Sequence, residues 1–290
     1  MSICGFGIIR NAIKYDYPIV ESIKSALPLV DEFILLVGKS DDDTLELVKT
    51  IDSKVKIYES VWDDNLREGG RVLAAETDKA LALVPSHYTW ALYLQGDEVL
   101  HSDDYENIKS ACDRWAEDGQ CDGLLFKYKH FYGSYDYIAT SSRWYRHEIR
   151  IIRNNQNIFS FRDAQGFRKK PNQILKVRTA NASIYHYGWV KPPEKMQLKQ
   201  YDFQKLWHPD DWIEERYAPE GSFDYNGIDV LQKFMGTHPP AIEERIQQSN
   251  WKFDRDLTVN RYSLKDMFKN FIENTTGWRP GEYKNYRLLS

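Results

Sequence analysis

Gln95-Gly96-Asp97-Glu98 follows a short apolar run, Trp90 to Leu94. Such a run makes one buried strand. A strand that ends in adjacent carboxylates puts negative charge at the carboxyl edge of a sheet, where open α/β sheets bind ligands. A carboxylate there can hold a hard divalent cation, and that cation can hold phosphate oxygens. An ordinary acidic turn after a strand reads the same way. One carboxylate is too few for Mg²⁺ or Mn²⁺, but these ions keep waters and accept phosphate oxygens, so a distant second ligand is expected. His186, in Ile184-Tyr185-His186-Tyr187-Gly188-Trp189, ends a short apolar strand and offers that ligand. Imidazole suits Mn²⁺ better than Mg²⁺. The other reading of His186 is a core histidine with its ring satisfied.

Two further groups have the chemistry of a site. From Arg143 to Arg178 ten Lys or Arg stand against two acids, Glu148 and Asp163. Arg143, Arg146, Arg150 and Arg153 could face a diphosphate or an anionic acceptor. They could also form a solvated face with cross-strand salt links. The isoleucines among them favour strand, on which Arg146, Glu148 and Arg150 share one face. Asp163 lies in Phe161-Arg162-Asp163-Ala164-Gln165-Gly166. A carboxylate among arginines stays ionised, and an inverting sugar transfer needs one base beside the acceptor hydroxyl. Pairing with Arg162 or Arg168 is the alternative.

Elements must hold these groups. Ile3 to Arg10, Phe33 to Val37, Val55 to Tyr58 and Trp90 to Leu94 read as strands. Tyr17 to Leu27, Thr44 to Ile51 and Arg71 to Leu83 read as helices between them. Pro28 stops the first helix, and Ser40 to Asp43 offers caps for the second. Strand and helix in alternation predict a mainly parallel sheet covered on both faces. Beyond Asp104 the pattern changes. Tyr105 to Trp115 is expected to be helical, and Gly123 to Phe131, Ile149 to Arg153 and Ala182 to Tyr187 to be strands of a mixed or antiparallel continuation. The expected organisation is one catalytic domain over 1–190, with a nucleotide-binding half at 1–104 and an acceptor-side half at 105–190. A mainly helical extension over 191–290 follows.

In that extension Pro239-Pro240 starts a helix through Ile242 and Ile246. Ser263 to Asp266 resembles a capping box, and Gly277 can end the helix it opens. Leu264, Met267, Phe268, Phe271 and Ile272 form one apolar stripe. Packing against the main domain is the expected role. A basic and aromatic surface for a membrane, with Lys265, Lys269, Trp278, Arg279 and Lys284, is the other, but Asp266 and Glu273 interrupt its positive face.

The chain has 290 residues, a net charge of −4 and 42% hydrophobic residues, enough for a full core and unlike a general nucleic-acid binder. No apolar run approaches the ~20 residues that span a bilayer. The first residues read as a strand, not a signal peptide. Cys4, Cys112 and Cys121 are odd in number and not in metal spacing, which suggests a reducing cytoplasm. Aromatics at 14% suit a sugar-handling surface and equally a large core.

Strand one ending in Ile9-Arg10-Asn11, Asp31 to Val37 followed by Ser40-Asp41-Asp42-Asp43-Thr44, and Trp90 to Val99 together resemble the inverting glycosyltransferases of family 2. Their order and spacing match over roughly the first hundred residues. The resemblance implies the GT-A fold, a Rossmann-like mixed sheet flanked by helices, and a nucleotide-diphospho-sugar donor. It implies a donor site of Ile9, Arg10, Asn11, Gly38, Arg71, Asp78, Gln95, Gly96 and Asp97. Asp97 falls at the metal-binding end of the family's Asp-x-Asp motif, with Mn²⁺ or Mg²⁺ held by Asp97 and His186. Asp163 resembles, more loosely, the acceptor-side base. Phe131 to Trp144, with Tyr132, Tyr135 and Tyr137, looks like bacterial members that build surface polysaccharide on glycan or lipid-linked glycan acceptors. The implied location is cytoplasmic, with peripheral contact to the inner membrane as an option.

Two departures stand out. Gln95 replaces the motif's first Asp, and Val37-Gly38-Lys39-Ser40 replaces the usual Asp-Asp-Gly-Ser. Gln95 is the best support for a second hypothesis, a non-catalytic nucleotide-sugar or glycan-binding module of the same fold. A nucleotidyltransferase would want a glycine-rich phosphate loop with a Lys near strand one, which Gly5 and Gly7 do not supply.

Overall fold

The structure is a computed structural model that describes residues 2–66, 68–262, 264–276 and 279–289. The expected cap at Ser263, the helix end at Gly277 and Trp278 lie outside the described residues. Four strands, β1 (Ile3–Ile9), β2 (Glu32–Gly38), β3 (Val55–Ser60) and β4 (Trp90–Tyr93), lie parallel in the order β3-β2-β1-β4. Helices α1 (Ile19–Ala26), α2 (Thr44–Lys49) and α3 (Arg71–Ala82) make the crossovers, and α4 (Tyr105–Arg114) follows. Period-two alternation decides which helix covers which face. Phe33, Leu35 and Val37 pack with α1, α2 and α4. Ile34 and Leu36 turn to the other face and pack with Ala80 and Leu73 of α3.

The sheet then becomes mixed, as the change of pattern after Asp104 predicts. Its strands are β5 (Glu98–Leu100), β6 (Gly123–Tyr132), β7 (Ser134–Ala139), β8 (His147–Arg153), β9 (Ile158–Phe161), β10 (Gly166–Lys169) and β11 (Gln173–Trp189). From β4 the order continues β8-β6-β11-β10-β9, with β8 antiparallel to β4 and to β6, and β6 parallel to β11. The α/β architecture of a mixed sheet flanked by helices is therefore present.

Residues 191–290 carry α5 (Pro193–Gln204), α6 (Asp210–Glu214), α7 (Glu243–Gln248) and α8 (Leu264–Thr276). They also add β12 (Leu231–Lys233), paired with β7, and β13 (Tyr286–Leu288), paired with β11. The Pro-led start expected near Ile242 is a single 3-10 turn, Pro240–Ile242, that leads into α7.

The stripe on α8 corrects its expected role. Leu264, Met267, Phe268 and Phe271 face outward, each more than half exposed. Polar pairing holds the opposite side inward: Asp266 accepts from Ser142, and Glu273 pairs with Arg146 and Arg279. Among the described residues no helix is long and apolar enough to cross a membrane.

Candidate active site

A short antiparallel pairing builds the site. In β5 and β11, Glu98 stands opposite His186, Val99 opposite Tyr185, and Leu100 opposite Ile184. Tyr187 N donates to the Asp97 carbonyl at 2.8 Å. The turn after β4 is thereby fixed against the end of β11, and Asp97 meets His186. Nε2 of His186 lies 3.8 Å from Oδ1 of Asp97. Lys199 of α5 approaches the other oxygen, Oδ2, at 3.5 Å and donates to the Gly188 carbonyl at 3.0 Å.

Hydrogen bonding fixes which His186 nitrogen is bare. His130 Nε2 lies 2.7 Å from the Tyr145 carbonyl, which can only accept, so this nitrogen carries the proton. Burial lowers the pKa of His130, aided by His186, and burial also lowers that of His186. Both rings are then neutral at pH 7. His130 Nδ1 is the acceptor in the 3.1 Å contact with His186 Nδ1, which must be the donor. His186 Nε2 is left with its lone pair toward Asp97. Two acceptors face each other across a small gap.

Gly188 keeps that gap open. A Cβ built there would lie 2.6 Å from Asp97 Oδ2 and 2.7 Å from His186 Nε2. Burial opposes the charge on Asp97, but His186 while it is protonated in acid, Lys199 and Lys191 more than offset it and hold the carboxyl below its usual range. A carboxylate and a bare imidazole nitrogen facing one another suit a divalent cation that fills its other positions with water and phosphate. Lys199 on the outer carboxylate oxygen is the kind of outer contact that orients a metal ligand. The residues fit the ion. Among the described residues no group of three or more His, Cys, Asp or Glu forms a closed metal cage, so such an ion would depend on its ligand for completion.

Glu98, next to Asp97, has a different role. It is fully buried and takes a two-point contact from Arg150, 2.8 Å from Nε and 2.7 Å from Nη2. Tyr128 Oη adds a third bond at 2.6 Å. Of the two readings of Arg150, the salt link within the protein is the one present, and the side chain does not face a diphosphate. Two of its three companions are also engaged within the protein, and the third, Arg143, is largely exposed. Arg143 lies near Asp229, Arg146 pairs with Glu273, and Arg153 donates to the carbonyls of Trp115, Ala116, Asp118 and Cys121. Removing one partner of a buried ion pair leaves an uncompensated charge, at a cost of about 3–5 kcal/mol. Glu98→Ala is expected to lose about that much stability in a denaturant titration, and Arg150→Met in the same background to recover part of it. A change under about 1 kcal/mol would count against the pair as a structural clamp.

The cleft around Asp97 has a volume of about 810 Å³. Its walls bring together Ile9, Arg10, Asn11, Gln95, Gly96, Asp97, Asp163 and His186, all anticipated from the sequence. Arg10 sits over the Trp62 ring and holds Asp64 at 2.8 Å. Asn11, buried and at φ +56°, exchanges hydrogen bonds with Asp41 just after β2. Asp163 is flanked by Arg162 and Ala164 at φ +59° and +62°, a strained turn that aims the carboxylate. Gly70, also at positive φ, lets α3 begin against Asp163, to which a Cβ would come within 2.9 Å.

Three anticipated donor residues do not line the cleft. Gly38 instead makes room for Trp62, which does line it. Arg71 is exposed at the start of α3. Asp78 is engaged by the backbone N–H of Ser160 at 2.6 Å, which ties α3 to β9. Gln95 donates to the Ala164 carbonyl at 3.3 Å, so the residue in place of a motif Asp braces the loop that carries Asp163.

Sequence reasoning missed four groups. His130 orients His186 through a neighbouring strand, and only the parallel register of β6 and β11 places them side by side. Lys199, Asp202 and Trp207 come from α5 and the turn after it, which form the outer wall. Asp202 accepts from Tyr15 at 2.7 Å and pairs with Lys14 at 3.0 Å. No spacing within α5 marks these residues as part of a site.

No family model matches the chain, and no curated protein matches it. Similar solved structures include S. aureus TarS in complex with UDP, at 14% identity over 71% of this chain and 64% of that one, with a TM-score of 0.39. Another is glucosyl-3-phosphoglycerate synthase from Mycobacterium tuberculosis in complex with Mn²⁺, UDP and phosphoglyceric acid, at 20% identity over 45% and 43%, TM-score 0.29. A third is 4-diphosphocytidyl-2C-methyl-D-erythritolsynthase from Anaerococcus prevotii DSM 20548, at 12% identity over 53% and 71%, TM-score 0.33. The chain spans between 35% and 64% of the length of the TarS chains. Likenesses this distant do not define an activity.

Proposed function

We propose that the chain is a nucleotide-sugar glycosyltransferase of the GT-A type, similar to family 2, that acts with inversion on a hydroxyl acceptor. The observation that carries this reading is the pair of facing acceptors, Asp97 Oδ1 and His186 Nε2, whose gap Gly188 leaves unfilled, in a cleft that also holds Asp163. Asp97 and His186 would hold Mn²⁺ or Mg²⁺, which when bound offsets the negative charge that develops on a departing diphosphate. Lys199, in the same wall, adds a second cation beside that diphosphate. Asp163 takes the proton of the acceptor hydroxyl as its oxygen forms the new bond to the anomeric carbon. The bond from that carbon to the diphosphate oxygen breaks, and the nucleotide leaves with the electron pair. Trp62, Trp189 and Trp207 offer ring faces for base and sugar. The proposed setting is cytoplasmic synthesis of surface polysaccharide on a glycan or lipid-linked glycan.

Gln95 favours a second reading, a binding module without turnover, since its amide is engaged with Ala164 and the motif carboxylate is missing. One calorimetric experiment separates the two. UDP- and GDP-sugars are titrated with and without Mn²⁺, and slow donor hydrolysis is then followed. Metal-dependent binding with hydrolysis supports the transferase. Metal-dependent binding with no hydrolysis and no transfer to any acceptor supports the module. No nucleotide binding under either condition sinks both.

A further inference from the structure

We propose that α8 is a docking surface for an anionic lipid bilayer. The inference stands on the helix alone and does not rest on the transferase reading. A 13-residue helix of a water-soluble fold normally turns its apolar stripe inward. Here Leu264, Met267, Phe268 and Phe271, one stripe at i, i+3, i+4 and i+7, are 86%, 56%, 62% and 67% exposed. The helix is held by its polar side. Asp266 accepts from Ser142 Oγ, while Glu273 pairs with Arg146 and with Arg279 at 3.2 Å. The acids that interrupt a basic face in the sequence are therefore turned away from the outer surface.

What remains outside is apolar with one basic edge. Lys265 is exposed, and Lys269 is half-buried one residue beyond Phe268. Thr275 and Thr276 direct their hydroxyls to the carbonyls of Phe271 and Ile272, so their polar atoms are satisfied within the helix. A helix of this kind lies in the plane of a membrane, with its apolar residues at the acyl boundary and its lysines at anionic headgroups.

A second copy of the chain fits this face less well. In a two-fold interface the patch meets a copy of itself, so the partner brings the same lysines to it and no further acids. Asp266 and Glu273, which could answer them, are engaged on the inner side. An anionic lipid surface supplies the missing negative charge. The whole chain carries −4, so attraction to such a surface has to be local.

Flotation of the full chain with phosphatidylcholine vesicles, with and without about 30% phosphatidylglycerol, tests this. The protein is expected to float with the anionic vesicles and to be released as salt rises. Phe268→Glu with Phe271→Glu is expected to weaken that binding by about tenfold or more. Lys265→Gln with Lys269→Gln is expected to remove the preference for phosphatidylglycerol. The phenylalanines and Lys265 lie on the outer face and Lys269 at its edge, so an unchanged circular-dichroism melt is expected and serves as the folding control. Absence of flotation, or flotation unaffected by the phenylalanine pair, overturns the proposal. So does a dimer in size-exclusion chromatography that the same pair dissociates, since that outcome assigns the face to a second copy.

Discussion

Transfer by Asp163→Asn is expected to fall by about 10²–10⁴-fold, the usual contribution of a positioned base, while donor binding stays as in the parent. Asn keeps the shape and one oxygen of Asp163 but cannot take a proton. Burial raises the pKa of Asp163 above its usual 3.8, and nearby backbone hydrogen bonds and arginines only partly offset this. Two consequences follow for pH. The acidic limb of the parent's kcat/KM profile is expected above 3.8, because the base must be ionised. Stability moves the other way. The folded state binds this proton more tightly than the unfolded one, so ionised Asp163 costs stability once pH rises above the unfolded value. Asp163→Asn is therefore expected to be at least as stable as the parent at pH 7, with the advantage gone in acid. Such a trade between stability and activity is common at functional positions. Single-turnover transfer rates, donor titrations and melts at two pH values read all three effects. Retained transfer would remove Asp163 as the base. Loss of donor binding together with transfer would mark it as a structural residue of the cleft.

The second large effect is expected at Gly188, where the change is one methyl group. An alanine Cβ would sit within 2.7 Å of both Asp97 Oδ2 and His186 Nε2, so the two side chains must move. Outer contacts of a metal site typically contribute 10–100-fold to affinity; displacing the ligands themselves should cost about 100-fold or more in Mn²⁺-linked donor binding. The clash falls on the ends of two side chains, so the fold is expected to survive, at a cost of about 1–3 kcal/mol for the overpacking. Mn²⁺ binding in the presence of UDP, read by electron paramagnetic resonance, measures the first effect, and a denaturant titration measures the second. His186→Ala and Asp97→Ala should reproduce the binding loss without the clash. Normal Mn²⁺-linked binding by Gly188→Ala would show that the gap between Asp97 and His186 holds no ion.

The local grammar of the chain determined much of this protein. Apolar runs and helical spacing marked β1, β2, β4, α1, α3 and α4, because each buries side chains at a period set by its own backbone. The abrupt change of polarity at Gln95 marked the edge where Asp97 now stands. Distance decided the rest. His186 was nameable as a candidate, but its contact with Asp97 depends on the register of β5 against β11, and its tautomer on His130 in β6. Glu98 and Asp97 are neighbours of one residue type, yet Arg150 takes one out of the chemistry while the other faces the cleft. The stripe on α8 was legible as a stripe, but not the direction it faces. Periodicity places residues on one side of a helix; only pairing with Ser142, Arg146 and Arg279 determines which side turns inward. Propensity and pattern act within a few residues, whereas strand register and ion pairing join segments far apart in the chain, and that is where the site was made.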